Sequence, residues 1–103
     1  MAYFGTTTPL GSNGTVTLGP KQSDRADYIS GAVFADQGGT IYIEQSGDGT
    51  NFDISAQYTV TGGDGKGFSE YLYLPYVRIR YVNGGSAQAA FRLFARYTSA
   101  GDS

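Results

Sequence analysis

The sequence contains no cysteine, no histidine and no tryptophan. Without cysteine there is no disulfide to staple the fold and no thiolate to act as nucleophile or metal ligand. Without histidine a serine nucleophile lacks its usual base, and the side chain that most often switches charge near neutral pH is missing. Basic residues are few, seven against nine acids, for a net charge of −2. A chain of that balance has no general attraction to nucleic acid. No apolar run approaches the ~20 residues that a membrane-spanning helix needs. The opening segment, MAYFGTTTPLG, lacks the basic and apolar regions of a signal peptide. The expectation is a protein with no membrane contact, made in the cytoplasm of its host cell. At 103 residues the chain is long enough for one domain and too short for two.

What is abundant is glycine, at sixteen, together with nine tyrosines and six phenylalanines. Aromatic mass favours strands, and glycine supplies the turns between them. The clearest stretch is Tyr76 to Tyr97, YVRIRYVNGGSAQAAFRLFARY. Val77, Ile79 and Tyr81 share one parity, opposite Tyr76, Arg78 and Arg80. Phe91, Leu93, Ala95 and Tyr97 share a face opposite Arg92, Phe94 and Arg96. A period of two marks a half-buried strand. Asn83-Gly84-Gly85-Ser86 tolerates positive φ, so the reading here is a β-hairpin.

Other segments follow the same pattern. Residues 1–14 read as an N-terminal arm or edge strand, with Tyr3 and Phe4 near its tip. Thr15 to Leu18 is a short strand, and residues 19–24 form a loop. Asp27 to Asp36 carries apolar groups on both parities, which predicts a central strand covered on both faces. Thr40 to Ser46 and Phe52 to Val60 form a second hairpin around Gly47-Asp48-Gly49-Thr50-Asn51. In its return strand Phe52, Ile54, Ala56, Tyr58 and Val60 share a face. Residues 61–67 are a glycine-rich loop, and Phe68 to Leu74 is a strand ended by Pro75. Residues 15–98 therefore read as an antiparallel β-sandwich, jelly-roll-like, of about seven to eight short strands. Residues 99–103 read as a loose tail.

The catalytic inventory is thin. Asp36, Glu44, Asp48, Asp53, Asp64 and Glu70 are available as carboxylates. Asp48 and Asp64 lie in turns, where aspartate bonds its own backbone, and Glu44 and Glu70 fall at outward strand positions. The chain is not expected to be an enzyme or to hold a cofactor. Asp48, Asn51 and Asp53 are hard oxygen donors on a turn, but they lack the spacing and distal glutamate of an EF-hand. A hairpin turn explains them better than a metal site. The glycines of residues 62–67 match no phosphate-binding fingerprint.

Charge is unevenly spread. From Asp24 to Glu70 there are eight acids against Arg25 and Lys66, and from Tyr76 onward four arginines against Asp102. If the last two strands pair, Arg78, Arg80, Arg92 and Arg96 share a basic face with Tyr76 and Phe94 between them. Three readings of that face stay open. Arginine with aromatics suits a protein partner. The arginines can instead pair with Glu44 and Glu70 on neighbouring strands. The same chemistry also suits single-stranded nucleic acid, which the net acidity opposes.

The runs GAVFADQGGTIYIEQSGDGTNFD and KGFSEYLYLPYVRIRYVNGGSAQAAFRLFAR resemble small structural proteins encoded among the head genes of tailed bacteriophages, of the capsid decoration or cement type. The likeness spans residues 30–96. IYIEQSGDGTNFD is also similar to the strand-turn-strand of galactose-binding-like jelly rolls, where SxDGxxW closes a hairpin; Phe52 stands where that motif has Trp. The resemblance implies a virion protein on the capsid surface, bound to the major capsid protein and to copies of itself, as a trimer. On this reading Arg78, Arg80, Arg92 and Arg96 supply charge complementarity and Tyr3 and Phe4 an arm. Reversing Arg78 and Arg80 to glutamate would then remove capsid binding and spare the fold. The alternative is a carbohydrate- or receptor-binding module of a phage tail, with exposed aromatics stacking on sugars and Asp48 and Asn51 bonding hydroxyls.

Overall fold

The computed structural model describes residues 3–23 and 26–99. The proposed tail, apart from Ser99, lies outside the described residues. Eight strands follow one another: β1 (Tyr3–Thr6), β2 (Thr15–Gln22), β3 (Tyr28–Ala35), β4 (Gly39–Ser46), β5 (Phe52–Val60), β6 (Gly65–Tyr71), β7 (Tyr76–Asn83) and β8 (Phe91–Thr98). They form two antiparallel four-stranded sheets, β1-β8-β3-β6 and β2-β7-β4-β5. This is the jelly-roll order, in which the chain keeps crossing from one sheet to the other.

The alternation has its expected cause. Ile29, Val33 and Leu93 point inward from the first sheet and Ile41, Ile43 and Ile79 from the second, and all six are buried. Each such side chain contributes about 1.5–3 kcal/mol relative to exposure. Larger rings close the layer between the sheets. Tyr81 meets Phe91 with ring centroids 4.9 Å apart, and Tyr97 meets Phe4 edge-on at 5.5 Å. The Tyr97 hydroxyl donates to the Lys21 carbonyl at 2.7 Å, which ties the two sheets together at one edge.

The hairpin expected over Tyr76 to Tyr97 is not there. β7 pairs with β2 and β4, and β8 with β1 and β3. Their apolar faces look at each other across the core instead of lying side by side. A period of two assigns a residue's face but not its strand's neighbour, and the two arrangements share one alternation. Residues 84–90 are therefore a crossover, and polar groups hold them in place. Asp36 accepts hydrogen bonds from the Ala89 and Ala90 amides at 3.1 and 3.2 Å. The Asn83 side-chain amide donates to the Gly11 and Ser86 carbonyls, both at 2.9 Å.

Four smaller expectations are also corrected. Phe4 does not tip a free arm: β1 pairs with β8 in register Phe4↔Ala95, and the Phe4 ring is 1% exposed. β3 is central, but only its inner face is covered; Tyr28 and Ala32 on the other face are exposed. Phe52 leaves the inner face of β5, because the register shifts between Gln45 and Ser46, where Ser46 pairs with Phe52 and Gln45 with Ile54. A bulge of this kind flips the residues beyond it. Glu70 has the parity of buried Phe68 and lies on the inner side of β6, where it accepts a hydrogen bond from the Tyr58 hydroxyl. The β4–β5 hairpin forms as expected, and β2 continues through the cis Gly19–Pro20 bond with a register shift between Leu18 and Lys21.

Candidate functional site

The two outer faces of the sandwich differ in chemistry. On the β2-β7-β4-β5 sheet, Glu44 of β4 lies beside Arg78 of β7 in register. Its carboxylate accepts from Arg78 Nε at 2.7 Å and from Arg80 Nη2 at 3.2 Å. Burial works to raise the Glu44 pKa, but hydrogen bonds from Arg80 and Arg78 and their charges outweigh it and hold the group below its ordinary 4.5. Each guanidinium also covers a ring: Arg78 lies 3.8 Å from the Phe52 centroid and Arg80 4.1 Å from that of Tyr42. Arg78 and Arg80 are thus paired within the molecule, which is the internal alternative for these two residues. Glu70 takes no part in it.

Arg92 and Arg96 lie on the opposite side of the protein. The four arginines therefore make two faces and not one patch. The reason is the crossover: β7 and β8 turn their polar sides outward from different sheets. Arg92 and Arg96 are exposed, and among the described residues neither has a carboxylate partner. Arg92 stacks 4.5 Å from the Phe34 ring centroid.

Around these arginines the outer face of β1-β8-β3-β6 is aromatic. Register places Tyr3, Arg96, Ser30 and Ser69 in one row across the sheet, Gly5, Phe94, Ala32 and Gly67 in the next, and Tyr28 beside Tyr71. Tyr3 stacks on Phe94, with planes 27° apart. Tyr71 contacts both Tyr28 and Tyr73, with centroids 5.6 and 5.0 Å away. The small residues in mid-sheet leave two shallow depressions that share Ala32 and Phe94. One, of about 260 Å³, is walled by Tyr3 and Arg96; the other, of about 160 Å³, by Phe34 and Arg92. All the exposed large apolar side chains among the described residues, Tyr3, Tyr28, Tyr71, Tyr73 and Phe94, belong to this face or to the segment that continues it. A monomer seldom leaves such a cluster open without a use for it.

Of the residues singled out in the sequence, the structure brings together Tyr3, Arg92 and Arg96. It removes Phe4 to the core and Arg78 and Arg80 to the far sheet. Phe94, expected among the arginines, joins them, whereas Tyr28, Tyr71 and Tyr73 on this face carry no such expectation from the sequence. For Tyr28 the signal is the apolar groups on both parities of residues 27–36, which predict two covered faces where one side is open. For Tyr71 and Tyr73 it is the shared parity of Ser69, Tyr71 and Tyr73, opposite buried Phe68.

The Asp48 turn is closed on itself. Oδ1 accepts from the Thr50 and Asn51 amides, and Oδ2 from the Asn51 side chain, all at 2.8 Å. Led by those two backbone bonds, this depresses the carboxyl well below its usual range. Among the described residues no group of three or more acids is placed to hold a metal ion, and no helix is long and apolar enough to cross a membrane.

Residues 1–98 match the family described as the uncharacterised protein YqxG N-terminal domain. The chain belongs to the YqxG N-terminal domain family. No curated protein matches it. Among solved structures, this family member is similar to the PBSX exported protein XepA, with 24% identity, TM-score 0.87 and 99% of the chain covered. It spans only 38% of that protein's length. It also shares its fold with a pilus structure of Bacillus endospore appendages, at 16% identity and TM-score 0.61, covering 96% of this chain and 87% of that one. A CBM4 structure aligns at 15% identity and TM-score 0.55, covering 91% and 70%. Identities this low establish the β-sandwich and leave its use open.

Proposed function

We propose that this chain is a non-enzymatic structural protein of a phage particle, adhering to the major capsid protein on the capsid exterior through the outer face of β1-β8-β3-β6. One observation carries the reading: the exposed aromatics Tyr3, Tyr28, Tyr71, Tyr73 and Phe94 gather on the face that holds Arg92 and Arg96, which have no carboxylate partner among the described residues. Arginine and aromatic anchors are the groups that dominate protein interfaces. The likeness to phage head proteins over residues 30–96 supports the choice of partner.

The size of the face sets the mechanism. The four strands, 4 to 8 residues long at about 3.3 Å each and about 4.8 Å apart, project roughly 400 Å². A standard interface takes about 800 Å² from each partner. A single contact is therefore weak, and stability comes from many copies on a repeating shell. The test is occupancy on capsids purified without the protein. R92E/R96E is expected to bind at least about tenfold more weakly with an unchanged melting curve, while T15E, an exposed change on the other sheet, binds as wild type. Equal occupancy for R92E/R96E overturns the reading.

A second reading, a carbohydrate- or receptor-binding module of a phage tail, is favoured by the paired depressions walled by Tyr3, Phe34 and Phe94. Aromatic walls beside a guanidinium suit an anionic sugar ring. Asp48 and Asn51, expected to bond sugar hydroxyls, are instead engaged with each other within their own turn. Glycan-array signal that F94A abolishes would place this reading first.

A further inference from the structure

An open sheet edge invites another strand, and proteins usually blunt each edge they expose. Three of the four edges here are blunted. β1 is only 4 residues long. β2 breaks register between Leu18 and Lys21 around Pro20, and the Lys21 ammonium donates to the Tyr3 carbonyl at 2.6 Å, closing β2 against β1. β6 carries Gly65, Lys66 and Gly67.

β5 differs. It is 9 residues long, FDISAQYTV, with no proline, glycine or basic residue. Its one bulge lies at the start, beside Asp53, and pairing with β4 is regular from Ile54 to Val60. Its other edge has no strand partner among the described residues. Ser55, Gln57 and Thr59 are exposed, and Ile54, Ala56 and Tyr58 are half-buried.

We propose that β5 is a self-association edge, through which two copies of this chain join their β2-β7-β4-β5 sheets antiparallel into one continuous sheet. The charge pattern selects a second copy as the occupant. In a two-fold pairing centred on Gln57, Ser55 faces Thr59, Ala56 faces Tyr58 and Ile54 faces Val60. No charge opposes a like charge, and the half-buried apolar groups cover one another. The axis of such a pair stands perpendicular to the sheet, so both copies turn their β1-β8-β3-β6 faces the same way. The pairing itself is independent of the proposed function. Only its use, a bivalent grip that raises effective concentration at a surface, rests on that reading.

Sedimentation of the full chain, without capsids, tests the pairing. Wild type is expected to show a concentration-dependent dimer. Q57K and Q57E, at an exposed position that leaves the fold intact, are each expected to dissociate at least about tenfold more readily, about 1.4 kcal/mol. Mixing Q57K with Q57E is expected to restore the dimer. R92E/R96E is expected to dimerise as wild type, which separates this result from failure of the capsid reading. A wild-type monomer at all concentrations, or an oligomer that Q57K and Q57E leave unchanged, overturns the proposal.

Discussion

Glu44→Lys is expected to destabilise the fold by about 3 kcal/mol, the lower end of the range for breaking a buried ion pair. The side chain is 9% exposed and bridges Arg78 and Arg80, which are themselves 31% and 33% exposed. The substitution sets a third cation between two others and leaves both without their carboxylate. Solvent reaches the guanidinium groups and screens part of the repulsion, so the full buried-pair penalty does not apply. For a domain of this size the loss corresponds to a fall of roughly 10–20 °C in melting temperature. A melt within a few degrees of wild type would show that the network contributes little. The milder Glu44→Gln adds a pH test. The folded-state pKa of Glu44 is depressed, so its stabilisation is present above its ordinary 4.5 and is lost as pH falls through the lower folded value. The stability gap between wild type and E44Q should be constant near neutrality and close below about pH 4.5.

Gly31→Ala should cost about 3 kcal/mol, as overpacking at a site that cannot yield. Gly31 is the core-facing residue in the middle of β3. A Cβ there would sit 2.7 Å from Phe68 Cζ and 2.8 Å from the Ala95 Cα, and against the Phe94 carbonyl oxygen. The ring could turn, but the β8 backbone is fixed by pairing on both sides. Urea denaturation measures the effect. A loss under about 1 kcal/mol would mean that β8 shifts freely under the face carrying Arg92 and Arg96.

The same Glu44 network explains why one mutational expectation from the sequence does not stand. Reversing Arg78 and Arg80 was to remove partner binding and spare the fold. Placed against Glu44, both reversals put like charges in contact and damage stability first, so lost binding by that variant says nothing of an interface. Alternation along β7 and β8 located the inward apolar side chains of those strands, because a period of two is a local property of the backbone; only buried Asn83, read as part of a turn, escaped it. Which strand lies beside which is set by the closing of two sheets over one core, and no window of sequence holds that. The jelly-roll class was legible because strand number, turn spacing and the DGTNF hairpin all agree with it. The open face was only half legible. Tyr28 and Phe34 announced a second apolar side to β3, but whether that side is covered depends on what stacks above it.

The strand order also governs when the molecule can assemble during synthesis. β8 lies between β1 and β3, and β7 between β2 and β4. Each sheet thus takes a central member from the last third of the described chain. A nascent polypeptide that has emerged only as far as β6 holds the flanks of both layers with nothing between them. Collapse must wait for the final strands, and closing such distant pairs is slow. Ribosome-bound intermediates should stay protease-sensitive until β8 has cleared the exit tunnel, and a premature stop before Phe91 should yield no partly ordered half-molecule but an aggregation-prone fragment.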